Sequence, residues 1–326
     1  MRRTALLFSL ATIAAAPSTA LAQTPVAPVA PVQTTLALTL ERVGGKRATA
    51  IVGDKIRVRG TVGAFVPGQR VSVRFFNNAK KMRAKTKTIL PGPNGIGTFE
   101  FSYRPQRTGS LLVRASHEAT PALGALAARG RRIDVIPRSV GSHSNKRVVA
   151  SLQRRLDRIG YVVGSRGVLD GRTRRAVLAF RKVAGMRRTT EASRPVMRAI
   201  AAGRGTFRIR RPTHGRHIEA DLTRQVIALI EGGKVRRIYP TSSGASSTPT
   251  VVGSFRVYMK TPGTNAKGMV HSAYFIRGYA THGFASVPIY PASHGCLRLP
   301  VPDARSVYDW IKIGTPVDVY HGPRPK

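Results

Sequence analysis

The spacing of apolar residues changes period along the chain, and that change limits what the chain can fold into. Between Leu36 and Val135 apolar residues fall at every second position. The runs are Leu36, Leu38 and Leu40; Ile56, Val58 and Val62; Val71, Val73 and Phe75; Phe99, Phe101 and Tyr103; Leu111, Val113 and Ala115; and Ile133 and Val135. A period of two puts them on one face of a strand. Turn-forming stretches separate the runs, notably Val66-Pro67-Gly68-Gln69 and Pro91-Gly92-Pro93-Asn94-Gly95, where proline presets φ and glycine supplies positive φ. Short strands with one polar face predict an Ig-like β-sandwich over residues 34–137. A basic run, Lys80, Lys81, Arg83, Lys85 and Lys87, is either a solvated face or a contact surface.

Pro137 to Asn145 is polar and Ser-rich and reads as a linker. The period then becomes helical. Val149, Leu152, Leu156 and Ile159 share one helix face and Gly160 follows as a C-cap. Asp170 is placed to cap a second helix carrying Ala176, Val177 and Phe180, and Val196 and Ile200 supply a third. The result is a small three-helix unit over 146–204. From 206 to 322 alternation returns with Ile218, Ala220 and Leu222, then a continuous apolar run from Val226 to Ile230 and a Glu231-Gly232-Gly233-Lys234 hairpin turn. Pro302 to Ile311 reads as one short helix with Asp303 in its first turn and Gly314 beyond its end. The chain is therefore expected to be multidomain and mainly β, with three units, as its 326 residues already suggest.

The chain carries 55 Lys and Arg against 14 Asp and Glu, a net charge of +41. Such a balance favours polyanions. Nucleic acid is excluded by the N-terminus, which directs the chain out of the cell. Met1-Arg2-Arg3 is a basic head, Ala5 to Ala16 is apolar, and Ala20-Leu21-Ala22 is a small-x-small cleavage site, so residues 1–22 read as a signal peptide. The apolar run is too short to span a bilayer, and no later stretch is long and apolar enough. Residues 23–33 are a Pro-rich tether favouring extended polyproline II. The expected location is the cell wall, the periplasm or the medium. The remaining polyanions are wall-linked polymers and anionic membrane surfaces.

Cys296 is the only cysteine. Exported proteins commonly use cysteines in disulfide pairs. An unpaired thiol faces oxidation unless retained for chemistry. It sits in Ser293-His294-Gly295-Cys296-Leu297-Arg298, with His282-Gly283 upstream. A nearby imidazole can take a thiol proton, and a Gly-containing turn can aim N–H groups at an oxyanion. From residue types alone, two other readings stand beside this one. A lone cysteine can be a small buried hydrophobe, and His282, His294 and Cys296 could ligate zinc, though without a regularly spaced fourth ligand. His271, followed by Ser272, rivals His282 as the base.

The string THGFASVPIYPASHGCLRL resembles the signature of the YkuD-type L,D-transpeptidases of bacterial cell walls. The His-Gly pair falls on His282-Gly283, and the Ser/Thr-His-Gly-Cys pattern on Ser293, His294, Gly295 and Cys296, followed by Leu297 and Arg298. The loop between His282 and Ser293 is shorter than in many members, and Pro288 and Pro291 stiffen it. IEADLTRQVIALIEGGKV, YPTSSG and TPTVVGSF resemble successive strands of the same fold, so the likeness covers the whole last unit. The three-helix unit resembles a peptidoglycan-binding module at Leu152-Gln153, Leu156, Gly160-Tyr161, Asp170, Thr173, Ala176-Val177 and Phe180. It departs at Arg181, where glutamine is usual.

These resemblances imply acyl transfer on peptidoglycan stem peptides, with acylation by carbapenems. Cys296 would be the nucleophile and His282 the acid and base, with Gly283 O on its other ring nitrogen. N–H groups of Gly295, Cys296 and His294 would hold the oxyanion, Ser293 and His294 would shape the turn, and Arg298 would meet a stem carboxylate or brace the loop. No metal or organic cofactor is implied. Peptidoglycan stem peptides and glycan are the expected partners, with anionic wall polymers besides. The competing functions are a cross-linking transpeptidase, an L,D-carboxypeptidase using the same site, and a non-catalytic wall-binding protein.

Overall fold

A computed structural model describes residues 29–44 and 48–323. The expected signal peptide and most of the tether lie outside the described residues.

Ten strands come first: β1 (Leu36–Glu41), β2 (Thr49–Ile51), β3 (Ile56–Val62), β4 (Arg70–Asn77), β5 (Lys80–Thr88), β6 (Leu90–Pro91), β7 (Gly97–Tyr103), β8 (Gly109–His117), β9 (Leu126–Arg129) and β10 (Ile133–Ile136). They form two sheets, in the orders β1-β3-β7-β6 and β2-β10-β8-β4-β5, with β9 also paired to β8. The alternating residues of both sheets meet in one core that includes Val58, Val73, Phe75, Phe101 and Val113. That is the packing of a sandwich.

The basic run became β5, a strand exposed along its whole length and lying at a sheet edge. Its register sets Lys87 opposite Val71, Lys85 opposite Val73 and Arg83 opposite Phe75. Charges on the inner face of an edge strand oppose pairing with another chain. The strand has no apolar alternation, so the period gave no sign of it.

Three helices follow: α1 (Lys146–Arg158), α2 (Gly171–Val183) and α3 (Arg194–Ala201). Asn145 and Asp170 accept hydrogen bonds from the N–H groups of Val148 (3.0 Å) and Thr173 (2.8 Å), capping the first two. Gly160 follows α1 with φ +94°, which glycine tolerates without strain. Gln153, buried, donates to Ser165 O, Val168 O and Thr173 Oγ1 and accepts from Gly167 N–H. Arg181 binds Glu191 O, Arg187 O and Ser193 Oγ. Both side chains hold loops of the helical unit in place. The segment before α1 is tied down as well: Val140 N–H donates to Ala192 O at 2.9 Å.

The last unit contains β11 (His217–Asp221), β12 (Val226–Glu231), β13 (Lys234–Pro240), β14 (Gly253–Arg256), β15 (Met259–Thr264), β16 (Val270–Ile276), β17 (Tyr279–Phe284), β18 (Leu297–Pro300), α4 (Val301–Trp310) and β19 (Pro316–Tyr320). One sheet runs β13-β12-β11-β19-β14 and the other β15-β16-β17-β18. Between them lies a core of Ile218, Ile227, Leu229, Phe275, Leu297, Leu299 and Val317.

The continuous apolar run in β12 has a physical cause. Ile227 and Leu229 face that core. Val226, Ala228 and Ile230, one residue out of phase, pack with Leu156, Tyr161, Phe180 and Ile238 in a second core shared with the helices. A strand buried on both faces loses its polar alternation. Ion pairs add to this junction: Arg172 and Arg175 of α2 reach the buried Asp303 of α4 at 2.8 and 3.4 Å.

Candidate active site

The pairing of β17 with β18 builds the site. The two strands run parallel, with Thr281 opposite Leu297, His282 opposite Arg298 and Phe284 opposite Pro300. Leu297 and Leu299 point into the core. By period two, His282 and Arg298 point the other way. Cys296 lies one residue before β18, and the Arg298 charge acts on both the Cys296 thiol and the His282 imidazole. Gly283, out of phase with His282, backs onto α4, where an added Cβ would come 2.5 Å from Ala304 Cβ.

His282 is 3% exposed. Its Nδ1 lies 2.9 Å from Gly283 O. A carbonyl accepts only, so Nδ1 carries the proton and Nε2 keeps its lone pair while the ring is neutral. Burial pulls the imidazole pKa below its ordinary value; the Gly283 bond opposes this and the Arg298 charge adds to it. Burial pushes the Cys296 thiol up, while an Ala280 backbone hydrogen bond, Arg298 and Lys267 pull it down. At neutral pH Cys296 therefore rests as a thiol and His282 as a neutral imidazole.

Cys296 is the one free cysteine among the described residues and is half-buried. Its Sγ–H points at Gly278 O, 3.7 Å away, and no hydrogen bond between it and His282 is present. Catalytic hydrogen bonds commonly tighten only when substrate arrives. A carbonyl, an amide and two cations lie near the thiol.

The turn before Cys296 is held from within and from outside. Ser293 Oγ donates to Cys296 O at 2.6 Å and accepts from Gly295 N–H at 3.1 Å. Ser243 O accepts from the N–H groups of Ala292 and Ser293, each at 2.9 Å. Thr248 Oγ1 donates to Ser293 O and Thr250 Oγ1 to Gly295 O. Gly295 has φ +108°, and a Cβ there would fall 1.9 Å from a Tyr279 ring atom. Its N–H is given to Ser293, so in this conformation it is not offered to an oxyanion as the sequence suggested. His294 is exposed on the turn.

Arg298 stacks its guanidinium on Phe284, 4.3 Å from the ring centroid. Among the described residues no carboxylate pairs with it. Its main chain is clamped: Thr241 Oγ1 donates to Arg298 O at 2.7 Å, and Arg298 N–H donates to Ser242 O at 3.1 Å. His271 is committed elsewhere, its Nδ1 accepting from Gly263 N–H and its ring lying against Tyr308. Among the aromatics near the site, Phe275 is core whereas Tyr290 is 59% exposed. No group of three or more His, Cys, Asp and Glu suited to a metal occurs among the described residues. A cavity of about 570 Å3 lined by Arg208, Arg210, Asp221, Arg224 and Tyr320 shares no residue with this site. It brings no nucleophile and base together.

Sequence reasoning missed Lys267, Ala280, Gly278, Ser243 and Thr250. Lys267 comes from the turn between β15 and β16, far from the motif in the chain. The others act through main-chain atoms or brace the turn from another strand, and such roles leave no residue-type signal.

Residues 215–319 match the YkuD L,D-transpeptidase catalytic domain. No curated protein matches the chain. Among solved structures, an L,D-transpeptidase from Xylanimonas cellulosilytica is 34% identical, with a TM-score of 0.52, covering 56% of this chain and 98% of that one. The catalytic domain of an E. faecium L,D-transpeptidase is 26% identical at TM-score 0.30, covering 33% of this chain and 98% of its own. An L,D-transpeptidase from Mycobacterium smegmatis is 13% identical at TM-score 0.30, covering 88% and 99%. The second sheet, the β17–β18 pair with its His-Gly and Ser-His-Gly-Cys turns, and the 34% identity over nearly all of the Xylanimonas chain place this chain in the L,D-transpeptidase family.

Proposed function

We propose that this chain cross-links peptidoglycan through a thioester on Cys296. The pairing of His282 with Arg298 in parallel strands, with Cys296 one residue before β18 and Gly283 O fixing the imidazole tautomer, supports the reading. Nε2 of His282 takes the thiol proton as Sγ attacks the carbonyl of the third stem residue. The C–N bond to the terminal D-Ala then breaks, and the imidazolium returns the proton to the leaving amine. An acceptor amine attacks the thioester, gives its proton to His282 and restores the thiol. With Gly295 N–H engaged by Ser293, the oxyanion donors are the N–H groups of Cys296 and His294, each worth about 3 kcal/mol. The unpaired guanidinium of Arg298 meets a stem carboxylate. Export to the wall, and glycan contact by the helical unit, belong to the same proposal. The absence among the described residues of any helix long and apolar enough to cross a membrane is compatible with it.

Intact-mass measurement after incubation with a carbapenem tests the chemistry. One adduct is expected, absent in Cys296→Ala and slowed by about 100-fold in His282→Ala. A folded wild-type protein that stays unmodified would leave only a wall-binding role. Incubation with tetrapeptide stems then separates the acceptors: dimer marks the transpeptidase, tripeptide alone the carboxypeptidase.

A further inference from the structure

Lys182 lies in α2, next to the apolar residues Ala176, Val177, Ala179 and Phe180 that fill the helical core. It is 2% exposed. Its Nζ donates to two carbonyls of the last unit, Gln225 O and Thr241 O, each at 3.0 Å. Neither carbonyl belongs to a strand. Gln225 precedes β12 and Thr241 follows β13, and they are joined to each other by Thr241 N–H donating to Gln225 O at 3.0 Å.

Two paths lead from this point to the catalytic turn. Gln225 is itself buried in a left-handed conformation, φ 57°, and its carboxamide is spent on Ser243. Nε2 donates to Ser243 Oγ at 2.6 Å and Oε1 accepts from Ser243 N–H at 2.9 Å. Ser243 O receives Ala292 and Ser293, and Ser293 Oγ holds Cys296 O. The second path is one bond long: Thr241 Oγ1 holds Arg298 O. Arg188, from the loop after α2, adds a third tie by donating to Ile289 O and Thr223 O, each at 2.8 Å. The second half of the loop between His282 and Ser293 is thus tied to the helical unit, at Ile289 directly and at Ala292 and Ser293 through Ser243.

A buried amine is a costly way to fasten two units that already share an apolar core, since an apolar side chain of equal volume would avoid desolvation. What the amine supplies is a donor to Thr241 O and a second donor to Gln225 O, which already accepts from Thr241 N–H. Burial lowers its pKa to about 7. The neutral amine has two N–H groups to match the two acceptors.

We propose that Lys182 is a positioning residue for the catalytic turn, acting on Cys296 through Gln225, Ser243 and Ser293 and on Arg298 through Thr241. The inference rests on the Cys296 reading above. It assigns the helical unit a part in the acylation step, apart from any ligand of its own.

The test uses the full chain and a carbapenem, following adduct formation by intact mass at several concentrations to separate maximal rate from half-saturation. Lys182→Met is expected to lower the maximal rate about 10-fold while half-saturation changes less than about 2-fold, because misplacement of the reacting groups costs rate rather than binding. Gln225→Gly, compatible with the positive φ there, removes both carboxamide bonds to Ser243 and cuts the path at its middle. The double variant should be no slower than the slower single, since coupled residues are non-additive. Should Lys182→Met not fold, Lys182→Gln, which keeps two N–H donors at shorter reach, takes its place with the same criteria. A folded Lys182 variant with the wild-type maximal rate overturns the proposal, and so does a double variant whose loss equals the product of the singles. An unmodified wild type instead removes the Cys296 reading, and this one with it.

Discussion

Gly295→Ala puts the packing of the catalytic turn to the sharpest test. Gly295 has φ +108°, and an added Cβ would stand 1.9, 2.6 and 3.0 Å from three Tyr279 ring atoms. Carbon atoms in contact sit about 3.5–4.0 Å apart, so ring and turn must separate by roughly 1.5 Å. The backbone conformation alone costs an L-residue about 1–2 kcal/mol. Tyr279 is half-buried against the core, so moving its ring adds about 1–2 kcal/mol. The sum is about 3 kcal/mol, which lowers the unfolding midpoint by roughly 6–12 °C. The shift also carries Cys296 away from its place, and a displacement near 1 Å costs on the order of 100-fold in rate. Differential scanning fluorimetry and carbapenem acylation read the two effects. Gly295→Ala/Tyr279→Ala should regain the acylation lost to the clash but not the backbone cost. A single variant within about 1 °C and 2-fold of wild type, as compared with the shifts expected here, refutes the reasoning.

Two other expectations concern charge. Alkylation of Cys296 by iodoacetamide should rise steadily with pH through the ordinary thiol range of about 8.5, because burial raises the folded thiol and holds it protonated at neutral pH. Arg298→Gln should slow this reaction about 2- to 5-fold at pH 8, since the guanidinium lowers the thiol pKa; unchanged or faster alkylation would refute that. Retention on an anionic wall polymer should fall steeply as salt shortens the screening length, and Lys81, Lys85 and Lys87→Gln on exposed β5 should weaken it further. Retention indifferent to molar salt would make the basic edge purely a guard against strand pairing.

The sandwich strands with clean alternation, the three helices and the caps at Asp170 and Gly160 were legible because each has a period or a capping residue. Asp170 and Gly160 are instances, where one local hydrogen bond or one positive φ decides the residue. The candidate turn around Cys296 stood out for a related reason: a thiol, an imidazole and a glycine are few residue types with few uses. What stayed hidden is held by backbone atoms or by partners distant in sequence. Gly295 N–H was expected at the oxyanion, yet the neighbouring Ser293 hydroxyl claims it. Lys182, buried in the structure, carries no residue-type signal that sets it apart among 55 Lys and Arg. Nothing within α2 tells that Gln225 and Thr241 will bring carbonyls to it.

The two-faced strand β12 has a practical consequence for anyone dissecting the molecule. A fragment begun at the family boundary near residue 215 would leave Val226, Ala228, Ile230 and Ile238 wet, a greasy stripe inviting self-association, and would strand two main-chain oxygens without their amine. Truncation experiments that begin there measure a damaged sheet, so shorter versions of this chain are best started ahead of Asn145.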